Sequence, residues 1–287
     1  MNRTLPRGLD AQRIKLLALI AMTLDHLAVF GASWPPIAHA AFPLRAVGRI
    51  SAPLFLFLLT FSVDHTRSRA RLVLRLYLAG VLDGLICLAL TLLSAGRLPP
   101  LPAPGIFHTL AFTALFCSLA DVLTAAVRSR SSRSILLLLA ALAAPVPTVL
   151  DLLGRHGFLP ALYSGGSAAA RILQSVLPSM LRVDYGPVLI LLGLAIYLAR
   201  TKQRRIAVFS AFTVLCAAVC VLVPSRAGWS PLLAQYFVPL QLCMVLAVPV
   251  MLLYNEQRGS GSRWIFYAYY PLHRAALWLL FGWTRML

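Results

Sequence analysis

The sequence predicts an all-α, polytopic membrane bundle of about nine transmembrane helices, and three observations predict it. Of 287 residues, 60% are hydrophobic and only 12% charged, with a mean hydropathy of +0.83, whereas an average soluble domain is about 25% charged. Apolar runs of about 20 residues, the helix length that crosses a hydrocarbon core of about 30 Å, recur between basic or Pro/Gly-rich breaks. The basic residues gather in alternate breaks, as the positive-inside bias requires of a multispanning chain.

Nine such runs can be read in order: 14–31, 50–63, 73–94, 106–127, 135–150, 185–199, 206–223, 232–254 and 264–282. The first follows a basic N-terminus, but no small-residue cleavage site comes after it and Asp25 interrupts it, so it reads as a retained span. The second is short. Leu98 to Pro104 forms a turn between the third and fourth, because proline at that density cannot continue a helix. The longest polar interval, Asp151 to Asp184, is too short for a soluble domain. Within it, Ala168 to Arg182 predicts a helix lying on the outer surface, with Ile172, Val176, Leu177 and Leu181 on one side. The whole chain, 1–287, then forms one transmembrane domain with no internal repeat.

The formal charge of +18 is compatible with nucleic acid, but its distribution is not. Most Lys and Arg fall in one set of breaks: Arg3, Arg7, Arg13 and Lys15; Arg67, Arg69, Arg71 and Arg75; Arg128, Arg130 and Arg133; Arg200, Lys202, Arg204 and Arg205; Arg258 and Arg263. The rest, Arg45, Arg49, Arg97, Arg155, Arg171, Arg182, Arg226, Arg274 and Arg285, are spread over the longer connections. Nine spans with the N-terminus cytoplasmic and the C-terminus outside satisfy every break. The five cysteines, Cys87, Cys117, Cys216, Cys220 and Cys243, all lie in predicted spans and read as small apolar residues. Neither a disulfide framework nor a metal site follows from their spacing.

An ionisable residue within a bilayer is costly and marks either a paired structural contact or a functional site. Asp25 and His26 stand side by side inside the first run. At roughly 1.5 Å per helical residue, His26 lies about 18 Å from the inner end of its span, His273 about 14 Å and Asp83 about 12 Å from theirs. His26 and His273 are therefore at depths that let them meet. Arg49, His108 and Asp184 sit near the outer mouths of the second, fourth and sixth spans, so inward-turned faces would form a charged funnel. Each residue also has a plainer reading: Asp83 as counter-ion of Arg75, Arg45 and Arg49 as headgroup contacts, and a membrane histidine as an interhelical hydrogen bond. Pro271, two residues before His273, frees a backbone carbonyl and suggests a helix break lining a cavity. His39, His65 and His156 read as loop residues.

The chemistry this set suits is acyl transfer. A histidine takes a proton from an attacking amine or hydroxyl, an acidic neighbour holds its tautomer, and arginines hold phosphates such as the diphosphate of a coenzyme A donor. No Gly-rich phosphate loop, serine nucleophile elbow, carboxylate cluster or kinase signature is present, which removes most of the weight from phosphoryl transfer and metallohydrolysis.

Two motifs carry a resemblance. Ile14-Lys15-Leu16-Leu17-Ala18 runs through Met22-Thr23-Leu24-Asp25-His26, and Arg45 precedes Val47-Gly48-Arg49-Ile50-Ser51-Ala52-Pro53-Leu54-Phe55. Arg71 to Leu76, Ile106-Phe107-His108-Thr109-Leu110, Asp184-Tyr185-Gly186-Pro187-Val188-Leu189 and Tyr269-Tyr270-Pro271-Leu272-His273 follow in order. Together they resemble the TraX family of bacterial inner-membrane proteins. The resemblance implies an acetyltransferase, since the family's namesake is associated with N-terminal acetylation of conjugative pilin. It implies His26 as general base, Asp25 as its orienter, and Arg45 or Arg49 as a donor-binding or structural group. His273 becomes a second polar wall, with Tyr270, His108, Asp184 and Tyr185 as further substrate or cofactor contacts. No bound cofactor or metal is expected; acetyl-CoA is the donor substrate, and the acceptor is a pilin or fimbrial N-terminus or an envelope glycan. A proton-coupled transporter using Asp25, His26, Asp83 and His273 as a relay is the rival reading, and a purely structural scaffold is the third.

Overall fold

The computed structural model describes residues 8–101, 105–125, 139–140, 142–155, 167–222, 239–262 and 264–283. Among these residues the named elements are helices: α1 (Ala11–Phe30), α2 (Pro35–Gly48), α3 (Ser51–His65), α4 (Arg69–Leu93), α5 (Ile106–Ala125), α6 (Val146–Arg155), α7 (Ala168–Val176), α8 (Gly186–Leu198), α9 (Lys202–Leu222), α10 (Pro239–Leu242), a 3-10 turn (Cys243–Leu246), α11 (Ala247–Leu252) and α12 (Trp264–Trp283). Two compact units result, Met1–Leu58 with Ala199–Leu287, and Leu59–Leu198.

In the first unit, α1 starts at Asp10, whose carboxylate accepts a hydrogen bond from the Arg13 backbone N–H at 2.8 Å and so satisfies one of the helix's orphan donors. Just upstream, Leu9 N–H donates to the Leu253 carbonyl (2.7 Å), Asn255 N–H to the Leu9 carbonyl (2.9 Å) and Ala11 N–H to the Gln257 carbonyl (2.8 Å). This short zipper ties the start of α1 to the segment that leads into α12. Gly8 enters it with φ +120°, and a Cβ there would stand 2.4 Å from the Leu253 carbonyl oxygen, so glycine is required on both counts. Lys202, at the start of α9, donates to the carbonyls of Leu252 and Tyr254 at the same end.

α1 ends at Gly31, and α2 begins with Pro35 and Pro36, whose missing N–H groups are unneeded in a first helical turn. The two helices pack closely along their length. The apolar pattern predicts a connection over 32–49, and in the structure most of it is helix. Pro35–His65 forms an apolar helical stretch of 31 residues, interrupted only at Arg49–Ile50. The run 50–63, short for a span, is thus the second half of a longer element.

In the second unit, α4 packs against α5 and α7. Asp121 on α5 receives Arg69 Nη2 from the start of α4 at 2.6 Å and the Tyr197 hydroxyl from the end of α8 at 2.6 Å, tying three helix ends together. Asp151, buried on α6, accepts from both the Nε and Nη2 of Arg182 and from the Ser179 hydroxyl. The helix expected over 168–182 stops at Val176, because Leu177 precedes Pro178, which disfavours helical backbone before it. Ala170 and Ser175 face inward, while Ile172, Val176 and Leu177 are exposed, the apolar side that the sequence predicts for a helix at the membrane surface.

This is a membrane protein by its exterior. Leu74, Leu78 and Leu82 project from α4 at one-turn spacing, and Val214, Leu215, Val221 and Leu222 project from α9; all are exposed. Such continuous apolar faces need a hydrocarbon solvent. Among the described residues, four stretches are long and apolar enough to cross a membrane, Pro35–His65, Arg69–Leu93, Ile106–Leu123 and Lys202–Leu222; Gly186–Leu198 and Leu240–Leu252 are shorter apolar helices. Of the nine expected runs, the starts of 135–150 and of 232–254 lie outside the described residues, as do His156 and part of the Leu98–Pro104 turn.

At Gly84 a Cβ would lie 2.2 Å from the Ser175 hydroxyl oxygen, so α7 seats on α4 only because no side chain intervenes. Gly84→Leu is expected to cost about 1–3 kcal/mol through overpacking, read as a lowered thermal midpoint of the purified protein. An unchanged midpoint would mean that α7 does not depend on this contact.

Candidate functional site

Asp25 and His26 follow each other on α1 but face different neighbours, as successive helical residues must. The Asp25 carboxylate turns toward α2. Both of its oxygens accept from Arg49 Nη2 at 2.5 Å, and Arg45 Nε stands 3.6 Å from one of them. The Asp25 and Arg49 side chains are 13% and 8% exposed, against 41% for Arg45. Arg45 and Arg49 are one helical turn apart, so both reach the same carboxylate. Between them, Gly48 lets α2 approach: a Cβ there would fall 2.4 Å from the Asp25 Cβ.

His26 turns toward α12. Its Nδ1 lies 2.7 Å from His273 Nε2, and the two rings are 17° from coplanar with centroids 4.9 Å apart, the geometry of an in-line hydrogen bond rather than a face-to-face stack. His273 Nδ1 lies 2.9 Å from the Tyr269 carbonyl oxygen one turn back. That carbonyl can only accept, so His273 carries its proton on Nδ1 and presents a lone pair at Nε2. His26 Nδ1–H therefore donates to His273, which places the free lone pair of His26 on Nε2. The network fixes the tautomer as a carboxylate would, but the fixing group is a second imidazole anchored on a backbone carbonyl.

Three aromatic contacts hold this pair. The Tyr269 ring lies parallel to His273 at 5.1 Å, and its hydroxyl bonds Thr23 Oγ1 at 2.7 Å. Thr23 in turn donates to the Leu19 carbonyl, so Tyr269 is the donor between the two hydroxyls. Thr23 with Tyr269 and His26 with His273 thus form two rungs between α1 and α12, spaced three residues on one helix and four on the other. Tyr270, buried, meets both imidazoles edge-on at 6.3 and 5.7 Å and carries the Arg274 guanidinium over its face at 5.2 Å. Phe30 closes the other side of His26 at 6.1 Å.

The structure gathers Asp25, His26, Arg45, Arg49, Tyr270 and His273 in one unit and places His108, Asp184 and Tyr185 in the other. Asp25 serves as partner of Arg49 and Arg45, not as the group that orients His26. α12 continues through Pro271 without a break, and His39 lies on α2 rather than in a loop. His65, at the end of α3, bonds the Phe61 carbonyl. Asp83 is buried on α4, and the Thr109 hydroxyl donates to the Asp184 carbonyl at 2.6 Å. Tyr185 stands at φ +60°, an uncommon conformation for a residue with a side chain, immediately before α8. Thr23, Gly48 and Tyr269 were not singled out from the sequence as site residues. Helical spacing was the available signal, since Thr23 is three residues from His26 and Tyr269 four from His273. No group of three or more His, Cys, Asp or Glu side chains able to hold a metal gathers among the described residues.

The family model described as TraX protein matches residues 10–281, nearly the whole chain and every residue of this site. No curated protein and no solved structure matches the chain.

Removing one partner of a buried ion pair strands the other charge, at about 3–5 kcal/mol. Arg49→Ala should therefore lower stability by about 3 kcal/mol, while Asp25→Asn combined with Arg49→Gln should recover a substantial part of that loss. Thermal denaturation of the single and double variants in one detergent gives the coupling. Additive effects would show that the pair contributes no specific interaction.

Proposed function

The chain belongs to the TraX family, and on that premise we propose that it is a membrane acetyltransferase that moves an acetyl group from acetyl-CoA to an acceptor at or beyond the membrane, the N-terminal amine of a pilin or fimbrial subunit. The observation that carries this reading is the relay Tyr269 carbonyl–His273–His26, which leaves an oriented lone pair on His26 Nε2. In the proposed step the acceptor amine attacks the thioester carbonyl carbon and gives up a proton to His26 Nε2. The C–S bond then breaks and the thiolate of coenzyme A leaves, taking the proton back from His26. The transient imidazolium is stabilised by the hydrogen bond to His273 and, through it, by the Tyr269 carbonyl dipole. Arg45, part exposed beside Asp25, retains N–H groups for a phosphate of the donor, whereas Arg49 is committed to Asp25.

The same base would serve a hydroxyl acceptor, so O-acetylation of an envelope glycan is the alternative within this chemistry. Proton-coupled transport is less favoured, because Asp25, a required relay member, is engaged by Arg49. The proposed setting is the bacterial inner membrane, with nine spans, the N-terminus cytoplasmic and the C-terminus outside. The alternating basic clusters support it, as does the gathering of Leu9, Lys202 and Tyr254 at one end of their unit.

The experiment is mass spectrometry of envelope proteins and glycans from cells carrying the wild-type protein, a deletion, or His26→Ala at equal abundance. Loss of one acetyl-sized increment in both altered strains identifies the acceptor; no difference in any acetylated species sinks the proposal. In purified protein, His26→Ala should slow transfer by about 10²–10⁴-fold, the usual contribution of a general base. His273→Ala should slow it less, and His273→Gln, which keeps an acceptor for His26 Nδ1–H, should restore part of the rate.

A further inference from the structure

The Leu59–Leu198 unit contains a cavity of about 440 Å³, walled by α4, α5, the segment leading into α6 and the end of α7. That volume holds roughly fifteen groups of the size of a water or a methylene, at about 30 Å³ each. Leu74, Ala111, Phe112 and Ala144 represent its walls. Only three of its described lining side chains carry polar atoms: Arg71, Tyr77 and His108. The Tyr77 hydroxyl is already spent, donating to the Val176 carbonyl at 2.5 Å. The His108 ring is buried, lies edge-on to Tyr77 at 6.1 Å, and wedges over Gly80, where a Cβ would fall 2.7 Å from its Nε2.

Arg71 differs from both. It is exposed in the first turn of α4 and makes no ion pair among the described residues, whereas its neighbour Arg69 is held by Asp121. From Arg71 to the level of Gly80 is nine helical residues, about 13 Å. The cavity is therefore an apolar slot with an uncompensated cation at one end and an imidazole at the other. Its rim is also apolar, with Leu74, Val176 and Leu177 exposed, so an occupant enters from hydrocarbon rather than from water.

We infer that this cavity binds a single-chain anionic lipid, its phosphate paired with Arg71 and its chain laid along α4 toward His108. Apolar walls reject a ligand that is polar throughout, because its groups would be left unpaired. An unpaired arginine selects an anionic head over a zwitterionic one. The site is independent of the His26 relay and does not rest on the acetyl-transfer reading.

The test uses full-length protein in a nonionic detergent and a lysophosphatidic acid bearing a diazirine in its chain, with the lysophosphatidylcholine of the same chain as comparison. After irradiation, crosslinks should map to the peptides holding Ala111 and Ala144, and the anionic probe should label about fivefold more than the zwitterionic one, the preference one arginine supplies. Arg71→Gln, a surface change, should erase that preference without moving the thermal midpoint. Ala111→Trp and the milder Ala144→Leu fill the slot and should suppress labelling by both probes; the second variant guards against misfolding of the first. Equal labelling by the two probes, labelling unmoved by both filling variants, or crosslinks confined to other peptides would each overturn the inference.

Discussion

The site depends first on neutralising Asp25. A carboxylate placed within an apolar helix must find a cation, because the desolvation cost of an unpaired charge exceeds what the local packing can offset. Arg49 meets that need through both carboxylate oxygens, and the contact works only because Gly48 carries no side chain where α2 crosses α1. The ion pair thereby seats α2 on one side of α1. His26, one residue on and about 100° around the helix, is left facing α12.

A second constraint sets the level at which His26 meets its partner. The zipper joining Leu9 and Ala11 to residues 253–257 fixes the axial register of α1 against the segment that enters α12. With that register, Thr23 reaches Tyr269 and His26 reaches His273. A slip of one turn, about 5.4 Å, would break both rungs. Backbone hydrogen bonds at one end of the unit therefore decide a side-chain geometry more than three turns away.

The meeting of His26 and His273 was legible in the sequence, because counting residues from the basic ends of two spans gives each a depth, and the depths agree. The role of Asp25 was not. Adjacency in sequence suggested that it orients His26, yet neighbouring helical residues do not face each other, and the orienting group came from 247 positions away. α2 falls between two of the predicted runs; its Pro35 and Pro36 occupy a first helical turn, which tolerates them. Tyr269 and Thr23 carried a usable signal in their spacing from the two histidines, but spacing alone does not say which faces meet.

Composition and charge distribution by themselves determined that this chain is an all-helical membrane protein, since hydrocarbon admits long apolar helices and almost nothing else that is open-ended. The motifs determined the family and which histidines to watch. Only the tertiary structure decided which partner each ionisable group takes, that Asp25 answers to Arg49 and His26 to His273, and that one apolar cavity ends at an unpaired Arg71. The reason is physical: depth in a membrane is a property of one helix and can be counted along it, whereas pairing depends on the rotation of two helices about their axes, which is set by packing that no single segment contains.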